Sequence, residues 1–281
     1  MSTEHQAVIV SAIRTPVGKF QGTLAPLSAS DLGAVAIRAA VERAGVESDA
    51  IAEVLMGNVV LAGQGQAPAR QAAIKAGIPA SVGATTVNKI CGSGLKTVML
   101  AAAMIRAGDG DVFVAGGMES MNNGPYLLPQ ARFGYRLGDG KLVDTMVHDG
   151  LWCAFENHHM GNSAEWIARE YGLTREELDE YAYDSQHKAI EAIDAGRFED
   201  EIVPVQIPHR RRPPGVCHRR GAAARFLAGE TGPPQARLSA RRTGHRRQRP
   251  GHHRRRRRHG GDERRPGRGT GHRTPGPHRG L

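Results

Sequence analysis

The stretch TTVNKICGSGLKTVMLAAAMIRAG, residues 85–108, places a β-branched segment, a cysteine and a periodic apolar segment in direct succession. The pattern predicts a strand over residues 84–88 and a helix over residues 92–107 that ends at Gly108. Cys91 would then lie between the strand and the N-terminus of the helix. Unpaired N–H groups and the helix dipole favour the thiolate there, and the thiolate is the nucleophilic form. Cys91 is therefore a candidate nucleophile, although free cysteines are more often buried and inert.

The segments on either side of this stretch continue the alternation of strands and helices. Further strands are predicted over residues 7–12, 53–58 and 111–117, and further helices over residues 31–44 and 67–76. A glycine follows each helix and tolerates the left-handed conformation that ends it. Alternating strands and helices are typical of a layered α/β fold with a parallel sheet. Residues 1–121 are therefore predicted to form one α/β domain.

The pattern changes after residue 121. Residues 122–147 are polar and rich in glycine, without a strong period, and a loop of this length is usually functional. Helical periodicity returns near Ser163 and again after Thr174, where Thr174 and Glu177 have the spacing of a capping box. A further strand is predicted over residues 201–207. Residues 122–208 are therefore predicted to form a separate region of loops and helices.

Charge divides the chain near residue 208. Residues 1–208 carry 16 Lys and Arg against 25 Asp and Glu, whereas residues 209–281 carry 22 Arg against 3 acidic residues. The formal charge of +10 therefore arises from the C-terminal segment. That segment is rich in Arg, Pro and Gly and poor in aliphatic residues, so it cannot bury enough apolar area to offset its ordering entropy. Residues 209–281 are predicted to be disordered.

Composition argues against several classes of protein. Three cysteines are too few for a disulfide framework and suit a reducing compartment. The N-terminus has no basic region followed by an apolar run. The longest apolar run, residues 98–105, is shorter than the roughly 18 residues of a membrane span. His148, His158 and His159 have no Cys or His partners at zinc spacing within residues 1–208. We expect a soluble, cytoplasmic protein that binds no metal and no membrane.

Several segments resemble the thiolase family in order and spacing. The segment around Cys91, VNKICGSGLKTVMLAA, resembles the acylated-cysteine segment of that family. The other matching segments are VIVSAIRTPVGKF (8–20), MGNVVLAGQGQAPARQAAIKAGIP (56–79), VFVAGGMESM (112–121), DGLWCAFENHHMGNSAE (149–165) and LTREELDEYAYDSQHKAIEAIDAGRFEDEIVPVQI (173–207). The resemblance covers almost all of residues 1–208. It implies a thiolase-like layered αβα domain, an inserted loop domain over residues 122–208, and no second half-domain.

The resemblance also implies a reaction. Thiolases are acetyl-CoA C-acyltransferases of fatty acid metabolism. Their cysteine takes an acyl group from one acyl-CoA, and a second acyl-CoA carbanion or free CoA then attacks the thioester. Cys91 would be the catalytic nucleophile, and Leu151, His159 and Met160 would contact coenzyme A. His159 taken alone would more often be a histidine with a structural partner.

The family also implies the partners of the chain. Acyl-CoA and coenzyme A would be its substrates, with no separate cofactor. Members of the family are dimers or tetramers, so we expect a homo-oligomer. The acyl chain length and the direction of the reaction are not predicted.

Residues 209–281 contain none of the motifs with which thiolases continue, namely an NEAF segment, a GHPxG histidine and a second CxG cysteine. The coding triplets can, however, be read one nucleotide later with permissible codons. Residues 227–238 then become SLEKLARLKPAF and residues 245–264 become TAGNAPGITDGAAATVVMSD, which are the segments that a thiolase would have next. We interpret the tail as out of frame and expect the chain to be a poor catalyst.

Two other interpretations remain open. The arginines of the tail could bind nucleic-acid phosphates, which needs no fold. This interpretation is disfavoured because GC-rich codons read out of frame produce arginine, and because no aromatic stacking platforms accompany the arginines. Alternatively, residues 1–208 could be a non-catalytic thiolase remnant that serves as an oligomer partner.

Overall fold

The computed structural model describes residues 6–208 and the backbone of residues 215–217. Every described residue lies in one compact unit of the chain. The predictions made for residues 209–214 and 218–281, including the out-of-frame segments, concern residues that lie outside this description.

A three-stranded parallel sheet forms the centre of the described structure. β1 (Glu53–Gly57) lies between β2 (Gly83–Val87) and β3 (Phe113–Gly117). The register is even, so the three strands end together at Gly57, Val87 and Gly117. The strands predicted over residues 53–58, 84–88 and 111–117 are confirmed with small differences in their ends.

The helices that connect these strands begin and end at local sequence signals. They are α1 (Ala29–Ala44), α2 (Pro68–Ala76) and α3 (Ser93–Ala107). Ser28 and Asp31 form a reciprocal capping box at the start of α1, and a proline occupies the first position of α2. Gly45, Gly77 and Gly108 end the helices with φ values of 63°, 95° and 82°. The predicted glycine stops are therefore confirmed.

Helices cover both faces of the sheet. α1 and α2 pack on one face, where Ile37 and Ala72 share a core with Val54 and Met56 of β1. Successive side chains of a strand point to opposite faces, so Gly57 points away from that core. On the opposite face it contacts the first turn of α3. The described domain therefore has the three αβα layers that the sequence predicts.

Residues 121–208 form small hairpins and surface helices, joined to short 3-10 turns. The antiparallel pairs are β4 (Tyr126–Leu127) with β5 (Val143–Asp144), and β6 (Trp152–Cys153) with β7 (His158–His159). The helices are α4 (Thr145–Gly150), α5 (Met160–Glu170) and α6 (Arg175–Asp194). The predicted capping box of Thr174 and Glu177 begins α6. α5 and α6 contain no buried residue.

The last described strands return the chain to the first domain. β8 (Val205–Ile207) buries Val205 and Ile207 against Leu24 and Leu27. It pairs antiparallel with β9 (Gly215–Cys217), with Val205 opposite Cys217. The prediction of disorder over residues 209–281 is therefore wrong for residues 215–217, because their backbone groups find partners in β8.

Residues 7–12 do not form the predicted strand. They pair with no strand in the described part of the chain, and Val8, Ile9 and Val10 are 70–75 % exposed. The nearest ladder contact is an isolated bridge between Arg14 and Ile202. An apolar β-branched pattern indicates a strand-forming segment, but a strand also needs a neighbouring edge whose N–H and C=O groups it can bond.

The region around α3 bears on the expectation about membranes. The 18 residues Ile90–Ala107 have a mean hydropathy of 1.3, which by length and composition is enough to cross a membrane. The uninterrupted apolar run, residues 98–105, is only part of this stretch. Ser93, Thr97 and Ala101 of α3 are nevertheless buried on one side, and Thr97 Oγ1 donates to the carbonyl of Gly116 in β3 at 2.9 Å. One such helix does not by itself indicate a span.

Candidate active site

Cys91 lies in the turn between β2 and α3, two residues before the helix begins. Its side chain is exposed, which is unusual for a free cysteine. The turn is closed by two backbone hydrogen bonds, from Gly92 N–H to the Lys89 carbonyl at 3.1 Å and from Ser93 N–H to the Ile90 carbonyl at 3.0 Å. The predicted position of Cys91 between a strand and the start of a helix is therefore what the structure has.

The residue before Cys91 has a strained backbone. Ile90 has a φ of 50°, in the left-handed region that β-branched residues rarely adopt. Such a conformation costs about 1–3 kcal/mol and persists only where its surroundings hold it. A glycine would be the usual residue at this φ. The position of Cys91 therefore depends on groups that hold Ile90 in this conformation.

Two side chains hold the backbone on either side of Ile90. Asn88 Oδ1 accepts from the Ile90 N–H at 3.0 Å. Ser93 Oγ donates to the Ile90 carbonyl at 2.6 Å and accepts from the Lys89 N–H at 2.8 Å. Ser93 is 4 % exposed, so water has little access to its hydroxyl. We call Asn88 and Ser93 the Ile90 clamp.

Glycines allow the start of α3 to approach the sheet closely. A Cβ atom on Gly57 would lie 2.7 Å from the Ser93 carbonyl carbon and 2.8 Å from the Gly94 nitrogen. A Cβ atom on Gly117 would lie 3.4 Å from the Gly94 Cα. The ends of β1 and β3 thus touch the helix backbone directly. This contact places the Cys91 turn at the carboxyl edge of the sheet, where open α/β sheets usually bind ligands.

A carboxylate joins two strands at the same edge. Glu119, just after β3, accepts from the Asn58 side-chain amide at 2.9 Å and from the Val59 N–H at 2.8 Å. Asn58 follows β1 directly and is 1 % exposed. Its amide also donates to the Met118 carbonyl at 3.2 Å. These bonds fix the loop that leaves β1.

The predicted coenzyme A residues meet at the base of one hairpin. Leu151 precedes β6, and His159 and Met160 lie at the end of β7 and the start of α5. The Met160 N–H donates to the Leu151 carbonyl at 2.8 Å. The structure therefore brings Leu151, His159 and Met160 together. Met160 is 48 % exposed.

His159 also caps α5. Its Nδ1 accepts from the Gly161 N–H at 3.0 Å. An imidazole nitrogen that accepts carries no proton, so in neutral His159 the proton lies on Nε2. The Gly161 N–H is therefore a structural partner of His159. The Nε2–H of neutral His159 can donate to another group.

The base of this hairpin packs on the loop after β1. A Cβ atom on Gly150 would lie 3.8 Å from a methyl group of Val60. The neighbouring Val59 carbonyl accepts from the Asn88 side-chain amide at 3.3 Å. Leu151 follows Gly150, and Asn88 lies three residues before Cys91. The predicted binding residues and the candidate nucleophile therefore flank the same short loop.

Sequence reasoning missed the residues that support this arrangement. Asn88, Ile90, Ser93 and Glu119 lie within the quoted motifs, but no role was predicted for them. The sequence shows that isoleucine and not glycine precedes Cys91. Only the structure shows that this position has a positive φ. The bonding partners of Glu119 are about 60 residues away in sequence, so no local pattern indicates them.

The described histidines all have local hydrogen-bond or ion-pair partners. His148 pairs with Asp149, His158 with Ser163 and His187 with Glu191. None of these contacts, nor that of His159, involves Cys91. Within residues 6–208, no group of three or more His, Cys, Asp or Glu residues could hold a metal ion.

The sequence of this chain matches a known protein family and several known proteins. A family model for the N-terminal domain of thiolase matches residues 7–221. An acetyl-CoA acetyltransferase of Cupriavidus necator is 60 % identical over 207 residues, which are 74 % of this chain and 53 % of that protein. Acetyl-CoA acetyltransferases of Pseudomonas aeruginosa and Escherichia coli are each 56 % identical, over 210 and 206 residues. These two alignments cover 75 % and 73 % of this chain and 53 % and 52 % of the relatives.

These matches define how much of the family the chain contains. The chain spans about half the length of the curated relatives that it matches. The family match extends past Pro208, where the resemblance read from the sequence ends, and includes β9. With the αβα layers, the exposed cysteine before α3 and a match over most of its length, the chain belongs to the thiolase family and contains its N-terminal domain.

Proposed function

We propose that this chain is the N-terminal part of an acetyl-CoA C-acyltransferase in which Cys91 carries the acyl group. The observation that supports this role is the exposed thiol in a strained turn directly before α3. Cysteine nucleophiles are activated at helix N-termini, where the dipole and the free N–H groups favour the thiolate. The similarity to acetyl-CoA acetyltransferases supports acyl-CoA and coenzyme A as the substrates.

The proposed reaction has two half-reactions. In the first, the Cys91 thiolate attacks the carbonyl carbon of acetyl-CoA, a new C–S bond forms, and the bond to the coenzyme A sulfur breaks. Coenzyme A leaves as a thiolate and takes up a proton. In the second, the α-carbanion of another acyl-CoA attacks the Cys91 thioester, a C–C bond forms, and the Cys91 thiolate leaves. The covalent intermediate divides one difficult step into two easier ones.

Leu151, His159 and Met160 are proposed to contact coenzyme A. They lie together at the base of the β6–β7 hairpin, which packs on the loop beside the Cys91 turn. Leu151 and Met160 offer apolar contacts, and the Nε2 proton of neutral His159 offers a donor. A substrate that spans these residues and Cys91 would be held by its coenzyme A part while its acyl group reacts.

The full reaction also needs groups that move protons. The described histidines bond within their own segments, and none of their contacts involves Cys91. Catalytic groups that act as a unit are strongly non-additive, so a cysteine without its base loses orders of magnitude in rate. We therefore propose that the 281-residue chain undergoes acylation but turns over slowly.

Intact-mass spectrometry tests the first half-reaction. The 281-residue chain is incubated with acetyl-CoA, and the mass increase of one acetyl group is measured. We expect a single adduct on the unaltered chain and none on Cys91→Ala. Cys153→Ala is the matched control, because Cys153 is half-buried in β6 and is expected to leave the adduct unchanged. An adduct that survives Cys91→Ala, or no adduct on the unaltered chain, would contradict the proposal.

A further inference from the structure

We propose that Ser93 is a positioning residue for Cys91, which it holds in place through the strained backbone of Ile90. This inference rests on the proposed function, because it concerns the residue that would carry the acyl group. Its physical basis is the Ile90 clamp, in which Ser93 Oγ accepts from the Lys89 N–H and donates to the Ile90 carbonyl.

The strained φ of Ile90 is held by hydrogen bonds, two of which come from Ser93. Ile90 is 47 % exposed, so packing of its side chain does little to hold φ at 50°. The restraint comes instead from hydrogen bonds to its backbone. Its carbonyl accepts from both Ser93 N–H and Ser93 Oγ, and its N–H donates to Asn88 Oδ1. Without these bonds Ile90 would relax to a negative φ.

Relaxation of Ile90 would move Cys91. The two residues are adjacent, so a change in the Ile90 φ changes the direction of the backbone at Cys91 and moves the thiol. The start of α3 cannot follow this change, because Gly57 and Gly117 contact the backbone at Ser93 and Gly94. The thiol would therefore leave its place before the helix, while the helix itself stays on the sheet.

The test is a mutant cycle on the alkylation rate of Cys91. The 281-residue chain is treated with iodoacetamide, and peptide mass spectrometry follows the labelling of Cys91 and Cys153 in the same molecule. Cys153 is the internal control, because it lies in β6 and has no bond to the clamp. We expect Ser93→Ala to slow labelling of Cys91 by about tenfold and to leave Cys153 unchanged, since small displacements of a reacting group have effects of this size.

Two substitutions of Ile90 separate positioning from simple destabilisation. Asn adopts the left-handed conformation more readily than β-branched residues, so Ile90→Asn in the Ser93→Ala background is expected to restore most of the Cys91 rate. Ile90→Val keeps the β-branched side chain and is expected to restore none of it. A residue that only stabilised the fold would give the same result with Asn and Val.

Several outcomes would overturn the inference. They are an unchanged Cys91 rate in Ser93→Ala, equal slowing of Cys91 and Cys153, and equal effects of Asn and Val at residue 90. If Ser93→Ala does not fold, Asn88→Ala takes its place, because it removes the acceptor of the Ile90 N–H and lies at an exposed position. The acetyl adduct tests the proposed function separately. Normal acetylation with an unchanged alkylation rate would contradict only the role of Ser93.

Discussion

At the scale of single residues, the contact between Gly57 and the start of α3 leaves no room for a side chain. Gly57→Ala would place its Cβ 2.7 Å from the Ser93 carbonyl carbon, so β1 or α3 must shift. Overpacking of this kind destabilises by about 1–3 kcal/mol. We expect urea titration to show a loss of this size in the free energy of unfolding.

Gly92→Ala is the matched control for this prediction. A Cβ on Gly92 would lie 3.5 Å from the Lys89 carbonyl oxygen, an ordinary contact, and the φ of −89° suits alanine. Its effect on the free energy of unfolding is expected within about 0.5 kcal/mol. Equal losses of unfolding free energy in the two variants would contradict the prediction that the close approach of Gly57 to α3 causes the loss.

At the scale of elements, Asp31 joins α1 to α2. Its carboxylate accepts from Ser28 in the capping box and pairs with Lys75 at 2.7 Å. Burial alone would raise the pKa of Asp31, but hydrogen bonds from Lys75 and Ser28 outweigh it and hold the pKa below the ordinary value of 3.8. A lowered pKa in the folded state means that stability is present above pH 3.8 and is lost as the pH falls below it.

Asp31→Asn tests this pH dependence. We expect it to destabilise at pH 6 by about 0.5–1 kcal/mol, as for other capping and surface ion-pair changes, and to differ little from the unaltered chain at pH 2. Glu177→Gln is the matched control, since it removes the equivalent carboxylate of α6. α6 buries no residue, so its fraying is expected to have a smaller effect on global unfolding. A constant Asp31→Asn difference from pH 6 to pH 2 would contradict the assignment.

At the scale of the whole molecule, the chain leaves apolar surface uncovered. Val8, Ile9 and Val10 are 70–75 % exposed, and Leu95 and Met99 on α3 are 69 % and 55 % exposed. Large exposed apolar patches mark interfaces or sites of aggregation. The relatives are about twice as long as the matched part of this chain, so they have further residues that could cover this surface.

Restoring the reading frame by one nucleotide between codons 208 and 221 tests that explanation. We expect the restored chain to cleave acetoacetyl-CoA with free coenzyme A, and the 281-residue chain to do so orders of magnitude more slowly. We also expect hydrogen exchange at the amides of residues 8–10 to slow in the restored chain, as these residues become paired. Equal turnover by both chains would show that residues 209–281 or a partner supply the missing groups, and that the tail is not an error of frame.

The central helices and strands were predictable from sequence because their signals are local. Glycines end α1, α2 and α3, and capping boxes begin α1 and α6. Each signal involves residues within one helical turn, where geometry follows from residue type alone. The position of Cys91 before α3 was predictable for the same reason.

The layered fold, the family and the candidate nucleophile follow from the sequence, because short-range patterns and motifs specify them. The tertiary structure adds that residues 7–12 have no described strand partner, that Ile90 is strained, and that Ser93 Oγ bonds the Lys89 N–H and the Ile90 carbonyl. Whether an apolar segment becomes a strand depends on an edge to pair with, and that edge comes from elsewhere in the chain. The positive φ of Ile90 is likewise held by hydrogen bonds with Asn88 and Ser93, against the preference of the residue itself.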